Sequence, residues 1–164
     1  MPDQEERETL EKAEEDLREG KSPSTAAGEF VREEIDHVRE GRHGARSPQQ
    51  AVAIGLSKAR RAGIPLKPPS KGKESTKENA ERDYKRGQSH TRKTVSAKRS
   101  RATVAALKRE PKSTASRSAL SKQTRAAASK RSASSRRGSA AKAVRTKGPA
   151  GRSRAAKKAA KTRR

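Results

Sequence analysis

The sequence predicts an all-α fold: a small two- or three-helix head followed by a largely disordered basic tail with room for short helices. Three observations predict it. Helical periodicity marks the first 66 residues, and no stretch alternates with period two for more than a few positions. The large apolar side chains crowd into the same region, from Leu10 and Leu17 through Phe30, Val31, Ile35 and Val38 to Val52, Ile54, Leu56, Ile64 and Leu66. Charge runs the other way. Residues 1–40 hold 14 acidic and 6 basic side chains, residues 41–164 hold 5 and 37, and the 54 residues after Glu110 hold 18 Lys and Arg and no acid.

Taken in order, Leu10, Ala13 and Leu17 recur at helical spacing on an acidic segment that Gly20 ends, so a helix is expected near 3–19. Ser22-Pro23 starts a second, near 23–40, with Ala27, Val31, Ile35 and Val38 on one stripe and Phe30 beside it, and Gly41 stops it. A third, near 48–62, has Ser47 as N-cap, Pro48 at its first position and Gln50 placed for a capping box. Val52, Leu56 and Ala59 form its stripe, and Gly63 then Pro65 stop it. Both junctions repeat one device: a glycine to stop, a Ser-Pro pair to restart. Gly28 and Gly55 fall inside these helices, where glycine costs about 1 kcal/mol relative to alanine, so close helix approach is the first expectation at both and a hinge the second.

Residues 67–110 read as a charged linker. Ser75 and Glu78 form a capping signature for a short helix at 76–86, and 94–109, with Val104 and Leu107, forms another that Pro111 ends. Residues 111–164 are Ala, Ser, Lys and Arg in low-complexity order, expected to be disordered when free and partly helical when bound. Ala155 to Lys161 has high helix propensity, opposed by like charges at Arg154/Lys158 and Lys157/Lys161 worth a few tenths of a kcal/mol per pair. The core is expected to lie wholly before Pro68-Pro69. With so few large apolar groups the head is marginal, and a homodimer or a protein partner docked on its stripes would add the missing burial.

Composition excludes several classes. The formal charge is +24, only 27% of residues are hydrophobic, and Phe30 and Tyr84 are the only aromatics. No cysteine is present, so neither a disulfide framework nor a cysteine-ligated zinc centre exists. The acidic start does not resemble a targeting segment, and the longest apolar run, Ala51 to Leu56, is far short of the roughly 18 residues of a membrane span. The expected location is cytoplasmic and nucleoid-associated, without membrane contact.

An enzyme is not expected, nor a cofactor or metal. His37, His43 and His90 are scattered and lack a metal-ligand spacing. Gly20-Lys21-Ser22 lacks the glycine five residues upstream that a phosphate-binding loop needs, because Glu15 stands there. The cations are the candidate site. On the head, Lys58, Arg60 and Arg61 in the last turn of the third helix either complement the helix macrodipole or form a phosphate-binding patch. Beyond it stand Lys98, Arg99, Arg101, Lys130, Arg131, Arg136, Arg137, Lys142, Arg145, Lys147, Arg152, Arg154, Lys157, Lys158, Lys161, Arg163 and Arg164. An extended tail reaches roughly 180 Å at about 3.3 Å per residue. Duplex DNA carries a charge per roughly 1.7 Å, so that length holds about a hundred phosphates and one chain coats rather than condenses.

Residues 46–63, RSPQQAVAIGLSKARRAG, resemble a family of small basic bacterial proteins of undefined function in which an S-x-x-Q-A-x-A-I-G-L-S-x-A-R-x-A-G helix recurs. The stretch from Ser22 to His37 looks like the upstream part of that group, so the likeness spans residues 17–66 and implies a bacterial origin. The tail is similar in composition to bacterial histone H1-like proteins.

The expected function is sequence-nonspecific DNA binding through phosphate contacts, histone-like or nucleoid-associated. An RNA- or ribosome-associated protein is the first alternative, since phosphates scarcely separate the two polymers. A hydrophilic stress-protection protein is the second, although a protectant needs no such segregation of charge. The near absence of aromatics argues against recognition by base stacking.

Overall fold

Glycine and Ser-Pro punctuation sets the first three helices. The computed structural model describes residues 4–89 and 96–162. Helix α1 (Gln4–Arg18) ends where Gly20 turns left-handed at φ 74, with Lys21 N–H bonding back to Asp16 O at 2.9 Å. Helix α2 (Pro23–Glu40) ends on Gly41 at φ 82, which lets Arg42 N–H reach His37 O at 3.0 Å. Helix α3 (Pro48–Arg61) ends on Gly63, with Ile64 N–H on Ala59 O at 3.1 Å. All three stops share the bond that closes a helix over a left-handed residue. At the head of α3 the Ser47 hydroxyl accepts from Gln50 N–H at 3.2 Å, and Gln50 Oε1 accepts from Arg46 N–H at 2.7 Å. Ser22 makes no such cap; its hydroxyl bonds those of Ser24 and Thr25.

Helix α2 is the centre of the head, with α1 and α3 packed on it and α4 (Glu74–Gln88) packed on α3. One buried cluster joins Ala13 of α1, Ala26, Ala27 and Phe30 of α2, Ala59 of α3 and Ile64, with Leu10, Leu17, Leu56 and Leu66 against it. Small residues dominate, so the helices approach closely rather than interdigitate large side chains. Gly55 marks the closest point: a Cβ there would lie 2.7 Å from Val31 Cα and 2.9 Å from Phe30 O. Gly28 does not serve that purpose, because nothing lies within 4 Å of where its Cβ would stand.

The expected boundary of the core is corrected. A second buried cluster gathers Val38, Ala45 and Ala51 around Ala115, which lies far beyond Pro68-Pro69. Residues after α5 (Ala97–Lys108), with the 3-10 turn Lys112–Ala115, return to the α2–α3 corner. There Gly44 N–H bonds Leu107 O at 2.8 Å, Ala45 N–H bonds Pro111 O at 3.3 Å, and Arg39 Nε donates to Ala115 O at 3.0 Å. Gly44 carries no side chain because Glu110's backbone occupies that space. Large aliphatics guided the expectation, yet an alanine with good backbone hydrogen bonds closes a core just as well.

The expected architecture of a small head plus a disordered tail is likewise overturned. Among the described residues helices recur along the whole chain, with α4 and α5 inside the expected linker, then α6 (Arg117–Ser129) and α7 (Ala133–Thr162) in the expected tail. No strand occurs among the described residues. The helix placed at 94–109 is described from Ala97, positions 94 and 95 lying outside the described residues. Helix α4 starts at Glu74 after Lys73, so Ser75 sits inside it and does not cap it. The physical reason for the helical tail is local. Ala, Lys and Arg are among the best helix formers, and like-charge pairs subtract only a few tenths of a kcal/mol each. Burial, the criterion behind the expectation of disorder, is not what sets these helices: α6 has no buried residue.

Contacts divide the chain into two compact units, Met1–Gln123 with both core clusters and Thr124–Arg164. Within the second, α7 is two helical segments around a break at Gly148, whose φ 60 and ψ 178 suit glycine alone, followed by Pro149.

Candidate nucleic-acid interface

The second unit is built almost entirely of alanine, serine and cations on exposed helices. Every described side chain from Thr124 to Arg145 is exposed, Val144 included. A helix that is polar all round has no face to bury against its own chain. Helix formation also concentrates the charge. One cation in three residues falls every ~4.5 Å along a helix at 1.5 Å per residue, against every ~10 Å along an extended chain. Against one phosphate charge per ~1.7 Å of duplex, a helix would compensate a far larger share of a polyanion laid along it than an extended chain would.

The predicted cations fall into two groups. Lys98, Arg99 and Arg101 of α5 are exposed, as are Lys130, Arg131, Arg136, Arg137, Lys142, Arg145, Arg152, Arg154, Lys157 and Lys161. Arg131 is held by Ser135, whose Oγ accepts from Nη2 at 3.2 Å, and by the Ser139 hydroxyl. The side chains of Lys147 and Lys158, and residues Arg163 and Arg164, lie outside the described set. The head cations are engaged within the protein. Lys58 Nζ sits 3.0 Å from Glu34 Oε2. Arg60 is buried, its Nε donating to Leu66 O at 3.2 Å, and burial pulls its pKa below the usual arginine value. Arg61 Nη1 lies 3.7 Å from Asp83 Oδ1, tying α3 to α4. Lys58 and Arg60 are thus turned into the head, Arg61 stays exposed beside Asp83, and α5, α6 and α7 carry exposed cations with no acid on any of them.

A group that the sequence reading passed over lies under the α2–α3 corner. Glu33, Glu34 and His37 of α2 are buried, and His43, in the loop, is nearly so. Gly41 makes the encounter: its left-handed turn folds the loop back over the last turns of α2, bringing His43 Nε2 to 3.3 Å from Glu34 Oε1. The two rings meet edge to face at 6.1 Å. His37 Nε2 lies 3.4 Å from Glu5 Oε1 of α1 and 3.1 Å from Arg42 Nη1, which also bonds Glu5. That Arg42 bond lowers the Glu5 pKa, whereas burial raises that of Glu33. Neither oxygen of Glu33 nor Oε1 of Glu34 accepts a hydrogen bond, and Glu34 Oε2 has the ion-pair contact of Lys58 Nζ at 3.0 Å in its place, although buried polar groups are nearly always hydrogen-bonded. The sequence did carry a signal, acids three and four residues before a histidine. It lacked the second histidine's position, which the glycine turn fixes.

No protein-family description, characterised protein or solved structure matches this chain. Among the described residues no helix is long and apolar enough to cross a membrane. The chemistry of the exposed helices is that of a polycation: fixed positive charge, abundant donors, and no carboxylate after Glu110 to compete for them.

Proposed function

We propose that this chain binds nucleic-acid phosphate backbones without sequence selection, in a histone-like or nucleoid-associated role, through the exposed cations of α5, α6 and α7. The observation that carries the proposal is 18 Lys and Arg without one acid over residues 111–164, set on helices whose described side chains are mostly exposed. Solubility alone needs no such uniform sign, and a protectant needs no such segregation from the acidic α1. Duplex is the favoured form, since Phe30 is buried and Tyr84 stands alone on the acidic-basic α4, leaving no aromatic platform for unstacked bases.

The test is a fluorescence anisotropy titration of the full chain against two duplexes of unrelated sequence and one structured RNA, at several salt concentrations. Equal affinity for the duplexes, tighter than for the RNA and falling steeply with salt, is the expected result. Preference for the RNA would move the function to RNA, and weak binding to all three at low salt would end the phosphate-binding proposal.

A further inference from the structure

We infer that Glu34, His37 and His43 form a binding site for one divalent transition-metal ion, zinc above all, which fastens the α2–α3 corner. One ligand atom from each of the three lies within 4.8 Å of the others, and Glu34 is fully buried; Arg42 Nη1 lies 3.1 Å from His37 Nε2, a contact that an ion bound at that nitrogen would displace. The hydrogen-bond inventory of His43 sharpens this. Its Nδ1 is 3.1 Å from Gly44 O, which can only accept, so Nδ1 bears the proton. In neutral imidazole Nε2 then holds a lone pair, and that lone pair faces Glu34 Oε1 at 3.3 Å. Two acceptors opposed in a buried place call for a cation between them, a proton on Nε2 or a metal ion.

The distance suits a metal. With Zn–N and Zn–O bonds of about 2.0–2.1 Å, two ligand atoms on a tetrahedral ion stand about 3.3–3.4 Å apart. The other carboxylate oxygen of Glu34 is held by Lys58 Nζ at 3.0 Å, and the Gly44 carbonyl fixes the His43 tautomer. Such outer partners are what orient metal ligands. Two imidazoles and one carboxylate favour zinc and its first-row neighbours over magnesium or calcium, which prefer all-oxygen shells. With three protein ligands, the fourth position falls to water. Binding would join the loop to α2 at the turn that also receives Ala115, so the expected consequence is stability of the head.

The experiment uses the full chain without an affinity tag, stripped with chelator and free of nucleic acid. Calorimetric titration with zinc chloride is expected to give one ion per chain and a higher thermal midpoint. H43A, whose loop position should leave the helices intact as checked by circular dichroism, should weaken binding at least roughly tenfold and abolish the midpoint shift. H37A should do the same, and H90A should change neither. No saturable binding, equal affinity for magnesium, or zinc binding that survives H43A would each overturn the site. If H43A fails to fold, cobalt absorption of the unaltered chain decides instead: intense tetrahedral bands support the site, and the weak bands of the octahedral aquo ion refute it.

Discussion

Removing residues 124–164 tests the assignment of binding to the helical second unit, because both core clusters lie in the unit that remains. The truncation deletes 15 of the 43 Lys and Arg and no acid. Those cations point around helices rather than along a flat strand, so roughly half, about seven, can meet one surface at a time. Seven phosphate contacts give a slope of about −6 in log K against log salt for duplex DNA. Raising salt fourfold should therefore weaken the full chain by about 10³ to 10⁴. The truncated chain keeps α5 and the start of α6, and its slope should be shallower than about −3, with weaker binding at every salt. Anisotropy titrations on one duplex across the salt series measure both slopes. An unchanged slope after truncation would refute the assignment, as would a slope shallower than −3 in the full chain.

Three further outcomes follow from the head. Gly55→Ala should destabilise it by about 1–2 kcal/mol, since the new methyl meets the backbone of Val31 and Phe30 and overpacking outweighs the helix-propensity gain. Gly28→Ala should instead stabilise by up to about 1 kcal/mol, its Cβ entering open space; urea denaturation of both variants checks the opposite signs. Glu33→Gln concerns a carboxyl whose pKa burial raises in the folded state, so the native protein loses stability as pH rises from the ordinary carboxylate range through that raised value. In chelator, the glutamine variant should be the more stable at pH 7, with the difference vanishing below about pH 4. A variant less stable at pH 7 would contradict that sign.

The legible part of the fold was the part written in short-range chemistry. Gly20, Gly41 and Gly63 stop helices because each local sequence supplies a residue that can turn left-handed and a following N–H that reaches back. Ser47 and Gln50 announce the start of α3 in the same way. Ala115 was not legible, since nothing in KSTAS distinguishes a core alanine from a solvent-exposed one; its burial depends on Gly44 and Ala45, 70 or more positions earlier. The helical tail was not legible for another reason: low apolar content speaks to burial, whereas intrinsic propensity decides there. Lys58, Arg60 and Arg61 were ambiguous because a basic last turn looks the same whether its charges face Glu34 and Asp83 or solvent.

That ambiguity bears on how the two signs of charge are distributed. The head turns Lys58 and Arg60 inward, on Glu34 and Leu66 O, and keeps other cations such as Arg7, Lys12, Arg32 and Arg46 at its surface, where they share it with exposed acid: Glu8, Glu11, Glu14, Glu15 and Glu19 on and just after α1 all face solvent. The stretch from α5 on has a single acid, Glu110, lying beside Arg46 at 3.6 Å. Segregation is therefore a property of surfaces and not only of composition. If the cations bind phosphate, exposed carboxylates within the same chain would compete for them, and that effect would fade with salt as the Debye length shrinks from about 30 Å at 0.01 M to about 8 Å at 0.15 M. Changing Glu8, Glu11, Glu14 and Glu15 to glutamine leaves Leu10, Ala13 and Leu17, and so the docking of α1, untouched. Such a chain should bind duplex DNA more tightly, by a factor that is largest at low salt and shrinks toward physiological salt. Unchanged or weaker binding at low salt would mean that the acidic helix does not compete.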